Sequence, residues 1–120
     1  MSNRTLRRLF RGIWFAALAT TFVAGLLPQL SPPGAYEADK FIHAAVFFAL
    51  ALPAALLAGE RRRRAVLAVA ALGLAIEIGQ SYVPARTGSV LDFAADLIGV
   101  VLAAWVGALL QRRLDAMLRA

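Results

Sequence analysis

The sequence predicts an all-α fold, a four-helix transmembrane bundle with both termini on the cytoplasmic side. Three observations predict it. The 120 residues are 61% hydrophobic with a mean hydropathy of +0.71, whereas soluble domains run at ~45–50%. One small domain cannot bury that much apolar surface in water, so a bilayer must cover part of it. The apolar residues fall into four runs, at about 12–30, 41–59, 65–83 and 90–110, each near the ~20 residues a crossing helix needs. Finally, eleven of the thirteen Lys and Arg sit in three patches: Arg4, Arg7, Arg8 and Arg11; Arg61 to Arg64; and Arg112, Arg113 and Arg119. Only Lys40 and Arg86 fall on the other side, as expected when basic loops stay cytoplasmic while helices insert.

The first run, GIWFAALATTFVAGLLPQL, follows a basic N-terminus. A signal peptide shares that layout, but the run is long for an h-region and no small-x-small cleavage site follows, so an uncleaved helix is expected. Pro28 and Ser31-Pro32-Pro33-Gly34 end it, because proline lacks the N–H and restricts its predecessor. The second run has His43 near its start and Pro53 within it, and closes at Gly59 before four arginines read as a solvated stop. The third is clean to Ile76, then meets Glu77 and Gln80. The fourth opens on Ser89-Val90-Leu91-Asp92, a capping pair. Small residues recur along it at Ala95, Gly99, Ala103 and Gly107, and the third run carries Gly73, so these positions are expected to pack helix on helix. Trp14 and Trp105 are placed for an interfacial aromatic belt, and short loops make the helices antiparallel neighbours.

That topology, assigned from basic residues alone, collects the remaining ionisable groups at the external end. At ~1.5 Å rise per residue, His43 lies about 5 Å below the start of its helix, and Glu77 and Asp96 about 9 Å from their helix ends. Asp39 and His43 are spaced i, i+4, as are Asp92 and Asp96, so each pair shares a face. With Glu37, Asp39, Glu77, Asp92 and Asp96 set against Lys40 and Arg86, the cluster nets −3 if every group ionises. A shared proton, a protonated His43, a metal or a cationic ligand would relieve it. Intramembrane charge is by default a functional feature. The plainer roles are a helix cap for Asp92, Arg86 paired with Asp92, Lys40 paired with Glu37, and a polar cap that knits the helix ends.

The candidate cluster is therefore Asp39, Lys40, His43, Glu77, Gln80, Arg86, Asp92 and Asp96, with His43, Glu77, Asp92 and Asp96 as candidate metal ligands. The absence of cysteine excludes disulfides and thiolate metal sites. No cofactor motif is present, and the placement of the basic residues argues against nucleic acid.

The series Asp39-Lys40-x-x-His43, Glu77-x-x-Gln80 and Arg86-x-x-Ser89-x-x-Asp92-x-x-x-Asp96-x-x-Gly99 resembles the VanZ-like family of small bacterial membrane proteins, across the second to fourth runs. The resemblance implies one VanZ-like domain over residues 1–120, multi-pass in the bacterial inner membrane. The family takes its name from a protein associated with low-level teicoplanin resistance. This chain has Asp96 where the family usually has Asn, and Ala103 where a second Gly is common; the former places a second carboxylate beside Asp92.

Three functions fit these residues. The leading one is to bind or handle an envelope lipid or lipid-linked cell-wall precursor, the carboxylates and His43 taking an ammonium, Lys40 and Arg86 a phosphate. The second is a membrane-embedded enzyme with a His/carboxylate site; no nucleophile motif, HExxH or phosphate loop supports it. The third is an accessory subunit whose small-residue stripe packs on a membrane-protein partner or a second copy.

Overall fold

A computed structural model describes residues 2–27, 36–84 and 88–120. These residues form four helices and no strand: α1 (Asn3–Leu26), α2 (Tyr36–Ala55), α3 (Gly59–Gln80) and α4 (Val90–Arg119). The first three helices begin before the apolar runs that predicted them and end short of residues 30, 59 and 83, while α4 runs past residue 110. α1 begins at the cap residue Ser2, whose Oγ accepts from the Thr5 N–H at 3.2 Å, so Arg4 to Arg11 are already helical. It stops at Leu26, before Pro28, rather than reaching residue 30. Arg61 to Arg64, expected to form a stop between helices, are instead in the first turns of α3. The reversal between α2 and α3 is made at Gly59, whose φ of +57° L side chains rarely adopt. Pro53 lies close to the end of α2, where the missing N–H interrupts little.

The four helices are not equivalent neighbours. α2 packs most extensively on α4, and α3 lies against both. α1 runs beside α3, grazes α2 and does not meet α4. The four expected helices are thus present, with α2, α3 and α4 packed into the core and α1 alongside.

The cause is the small-residue stripe on α4. Ala95, Gly99, Ala103 and Gly107 are buried. A Cβ on Gly99 would collide with the Ala44 carbonyl oxygen and the Phe48 nitrogen, and one on Gly107 would lie 2.9 Å from the Ala55 carbonyl oxygen. The stripe draws the α2 backbone in by removing side chains between the two helices. Its occupant lies within the chain.

Phe47, Leu50, Ala51, Val69, Ile76, Val100 and Ala103 form the core among the three central helices. α1 buries no residue fully. Two hydrogen bonds tie it down. Trp14 Nε1 donates to the Leu50 carbonyl at 2.9 Å, and Gln80 Nε2 donates to the Gly25 carbonyl at 2.7 Å. Trp14, expected as a belt residue, therefore turns its N–H toward α2, whereas Trp105 stays exposed.

The outer surface is apolar on every helix, with Phe10, Phe41, Leu67, Ile98, Val101 and Trp105 exposed. Among the described residues, α1 and α4 are long and apolar enough to cross a membrane by length and composition. α2 and α3 carry charge inside their helical bounds, Asp39 and Lys40 at one start and the four arginines at the other.

Candidate functional site

Side-chain contacts define two opposite ends. Lys40 and His43 of α2 meet Asp92 and Asp96 of α4, and Glu77 of α3 meets Ser89. At the other end, Ala55 meets Gly107 and Arg62 meets Gln111. Among the described residues, six of the eight expected site residues converge at the first end: Asp39, Lys40, His43, Glu77, Asp92 and Asp96. Arg86 lies outside the described residues, as does the side chain of Glu37.

Ser89 begins α4 as the sequence suggests, its Oγ accepting from the Asp92 N–H at 3.3 Å. In a complete capping box the third residue's carboxylate would return to the cap's own N–H. Here Glu77 Oε2 accepts the Ser89 N–H instead. That substitution leaves the Asp92 carboxylate for another helix, and Lys40 Nζ donates to its Oδ1. The capping role expected of Asp92 thus passes to Glu77 and Ser89, and the pairing expected between Lys40 and Glu37 lies outside the described side chains. Gly88 permits the approach: a Cβ there would sit 2.9 Å from the Glu77 carbonyl oxygen and 3.0 Å from Ser81 Oγ. Gly88 and the Ser89 amide were not expected as site residues; the glycine directly before an N-cap was the available signal.

His43 bridges two acids. Its Nδ1 lies 2.8 Å from Asp96 Oδ1, and its Nε2 lies 3.8 Å from Asp39 Oδ2, one helical turn back. A carboxylate on Nδ1 holds the proton there, so the neutral ring presents its lone pair at Nε2. Asp96 is only 1% exposed, and its Oδ2 has no hydrogen-bond partner among the described residues. That oxygen lies 3.0 Å from where a Cβ on Gly73 would be. Gly73, expected to admit a neighbouring helix, specifically makes room for the Asp96 carboxylate.

Gln80 does not join the cluster. It is fully buried, and its amide faces α1 through the Gly25 carbonyl. The three-residue step from Glu77 to Gln80 turns the two side chains to different neighbours, so Gln80 is a structural tie. Glu77 stays with the cluster and has Oε1 without a partner. It also lines a cleft of about 250 Å³ between α3 and the start of α4, walled by Leu74, Ile78, Val90 and Phe93 with Ser81 at the edge.

At the opposite end the described contacts between helices pair donors with acceptors. Gln111 Nε2 donates to the Leu56 and Leu57 carbonyls at 3.2 and 2.7 Å, capping the end of α2. Arg62 donates to Gln111 Oε1 at 3.2 Å and to the Ala104 carbonyl at 3.1 Å. The four arginines were expected as a solvated stop; Arg62 instead locks α3 to α4, since the first turn of α3 faces the neighbouring helix.

The sequence model of the VanZ/LLP1 family matches residues 2–111. No curated protein and no solved structure matches the chain.

Proposed function

This chain belongs to the VanZ/LLP1 family, and on that premise we propose that it is a multi-pass protein of the bacterial inner membrane that holds the polar part of an envelope lipid in the Asp39–Lys40–His43–Glu77–Asp92–Asp96 cluster. The chain crosses four times with both termini inside, so the cluster opens toward the outer leaflet. One observation carries the reading. Four carboxyls, one lysine and one histidine from three helices gather at one end of the core helices, with Glu77 Oε1 and Asp96 Oδ2 both buried and unsatisfied among the described residues. An unsatisfied buried carboxylate oxygen costs about 1–3 kcal/mol or more, which a hydrogen-bond donor from a ligand would offset.

The chemistry favours a zwitterionic group: an ammonium or hydroxyl donor for the acids, and a phosphate for Lys40. The cleft beside Glu77 suits the adjoining hydrocarbon, having apolar walls and a carboxylate at one side. A lipid-linked wall precursor offers the same combination, and it is the ligand that would connect this protein to the glycopeptide resistance associated with the family name.

Native mass spectrometry of gently extracted protein tests the reading. A lipid should be retained by the wild type and depleted in Asp92→Asn and Glu77→Gln. Protein that stays empty across several mild detergents rules the reading out. Orientation is tested separately, because the chain has no cysteine of its own. A membrane-impermeant thiol reagent on intact spheroplasts should label Tyr82→Cys and not Arg64→Cys; the reverse pattern would invert the topology.

A further inference from the structure

We infer that Asp39, His43 and Asp92 form a binding site for one borderline divalent cation of the Zn2+ or Mn2+ type. The inference concerns the same cluster as the lipid reading and rests on its geometry, not on lipid binding.

One ligand atom from each of the three residues lies within 4.8 Å of the other two. Sub-ångström side-chain adjustments bring such a set to the ~2.0–2.2 Å of metal–ligand bonds. Asp39 and His43 come from one face of α2 at i, i+4, the spacing that lets two side chains chelate one ion. Asp92 closes the triangle from the first turn of α4. One imidazole with two carboxylates suits a borderline divalent ion and leaves coordination positions for water or a ligand phosphate. The sequence reading had grouped His43 with Glu77, Asp92 and Asp96. The folded chain assigns Glu77 to the Ser89 amide and Asp96 to the far side of the imidazole.

Asp96 supplies the second, independent observation. It is almost wholly buried and accepts from His43 Nδ1 at 2.8 Å, while its other oxygen has no partner. A buried carboxylate on one imidazole nitrogen, with the other nitrogen turned toward Asp39, is how proteins fix and strengthen a metal-ligating histidine. Asp39 and Asp96 flank this ring, and Lys40 pairs with Asp92. A divalent ion would sit among these carboxylates. Lys40, on Asp92 Oδ1, competes with it.

The test uses full-length protein in lipid nanodiscs, stripped with a chelator and titrated with Zn2+ and separately with Mn2+ by calorimetry and native mass spectrometry. One ion per chain is expected. His43→Ala and Asp92→Asn should each lose at least about tenfold in affinity, and Asp96→Asn, which acts through the histidine, about 10–100-fold. Lys40→Gln should bind more tightly, a gain that misfolding cannot produce. The inference is overturned if folded wild type takes up neither ion, if His43→Ala and Asp92→Asn bind as wild type does, or if Lys40→Gln binds more weakly. The lipid content of the same stripped samples keeps the two readings apart. Lipid without metal binding removes this inference alone, and metal binding without lipid removes the lipid reading alone.

Discussion

The two ends of this molecule are built from polar groups of opposite character. At one end, Arg62 and Gln111 satisfy the Ala104, Leu56 and Leu57 carbonyls and each other. At the other, Asp39, Asp92 and Asp96 crowd one histidine and one lysine, while Glu77 and Asp96 each leave an oxygen unpaired. Both ends join the same helices, so joining helices does not explain the difference. Arg62 and Gln111 hold helix ends together by ordinary donor–acceptor pairing. The acidic end leaves two buried carboxylate oxygens unpaired among the described residues, a local cost that natural proteins concentrate at functional sites.

The largest expected effect applies to the scaffold shared by both ends. Gly99→Val should lower stability by about 3 kcal/mol or more, because its side chain would collide with the α2 backbone rather than with a movable side chain. Unfolding in mild detergent measures it. A stable variant would mean that α2 and α4 are not packed as closely as described.

The next effect is confined to the Arg62 end. Gln111→Leu should cost about 1–3 kcal/mol, since it removes the hydrogen bonds to the Leu56 and Leu57 carbonyls and one from Arg62, each worth ~0.5–1.5 kcal/mol. Lipid and metal retention should stay at wild-type levels. Lost retention in a folded Gln111→Leu protein would show that the two ends are coupled, and the contrast between them would fail.

The acidic end should respond in the opposite sense. Asp96→Asn keeps an acceptor for His43 Nδ1 and removes a buried charge, so stability should hold or rise by up to ~1 kcal/mol while ligand retention falls. A clear loss of stability with unchanged retention would identify the cluster as a structural polar cap. The smallest effect is expected where α1 joins the core. Trp14→Phe removes one hydrogen bond to the Leu50 carbonyl and should cost about 0.5–1.5 kcal/mol. An effect larger than that of Gln111→Leu would mean that α1 is held more firmly than its exposed surface implies.

Much of the cluster was legible because charged residues are rare in apolar runs. Each departure from hydrophobicity near residues 39–43, 77–80 and 92–96 stands out, and helical spacing indicates which share a face. Partner choice was not legible. Nothing local distinguishes Gln80 from Glu77, yet one meets α1 and the other meets α4. Arg62 resembles Arg61, Arg63 and Arg64 in sequence, and only its rotation about the α3 axis turns it toward Gln111.

By itself the sequence determined four helices, their approximate extents, the close seam written by Gly99, Ala103 and Gly107, and the acidic character of one end. Those properties follow from periodicity and composition, which act over a few residues. Tertiary structure decided that α1 would stand outside a three-helix core, that Glu77 would take the Ser89 amide and leave Asp92 to Lys40, and that His43 would lie between Asp39 and Asp96. Those outcomes depend on helix rotation and on where separate backbones touch. Residues 39 and 92 become neighbours only when α2 and α4 close on each other, and no local pattern encodes which atom then finds which.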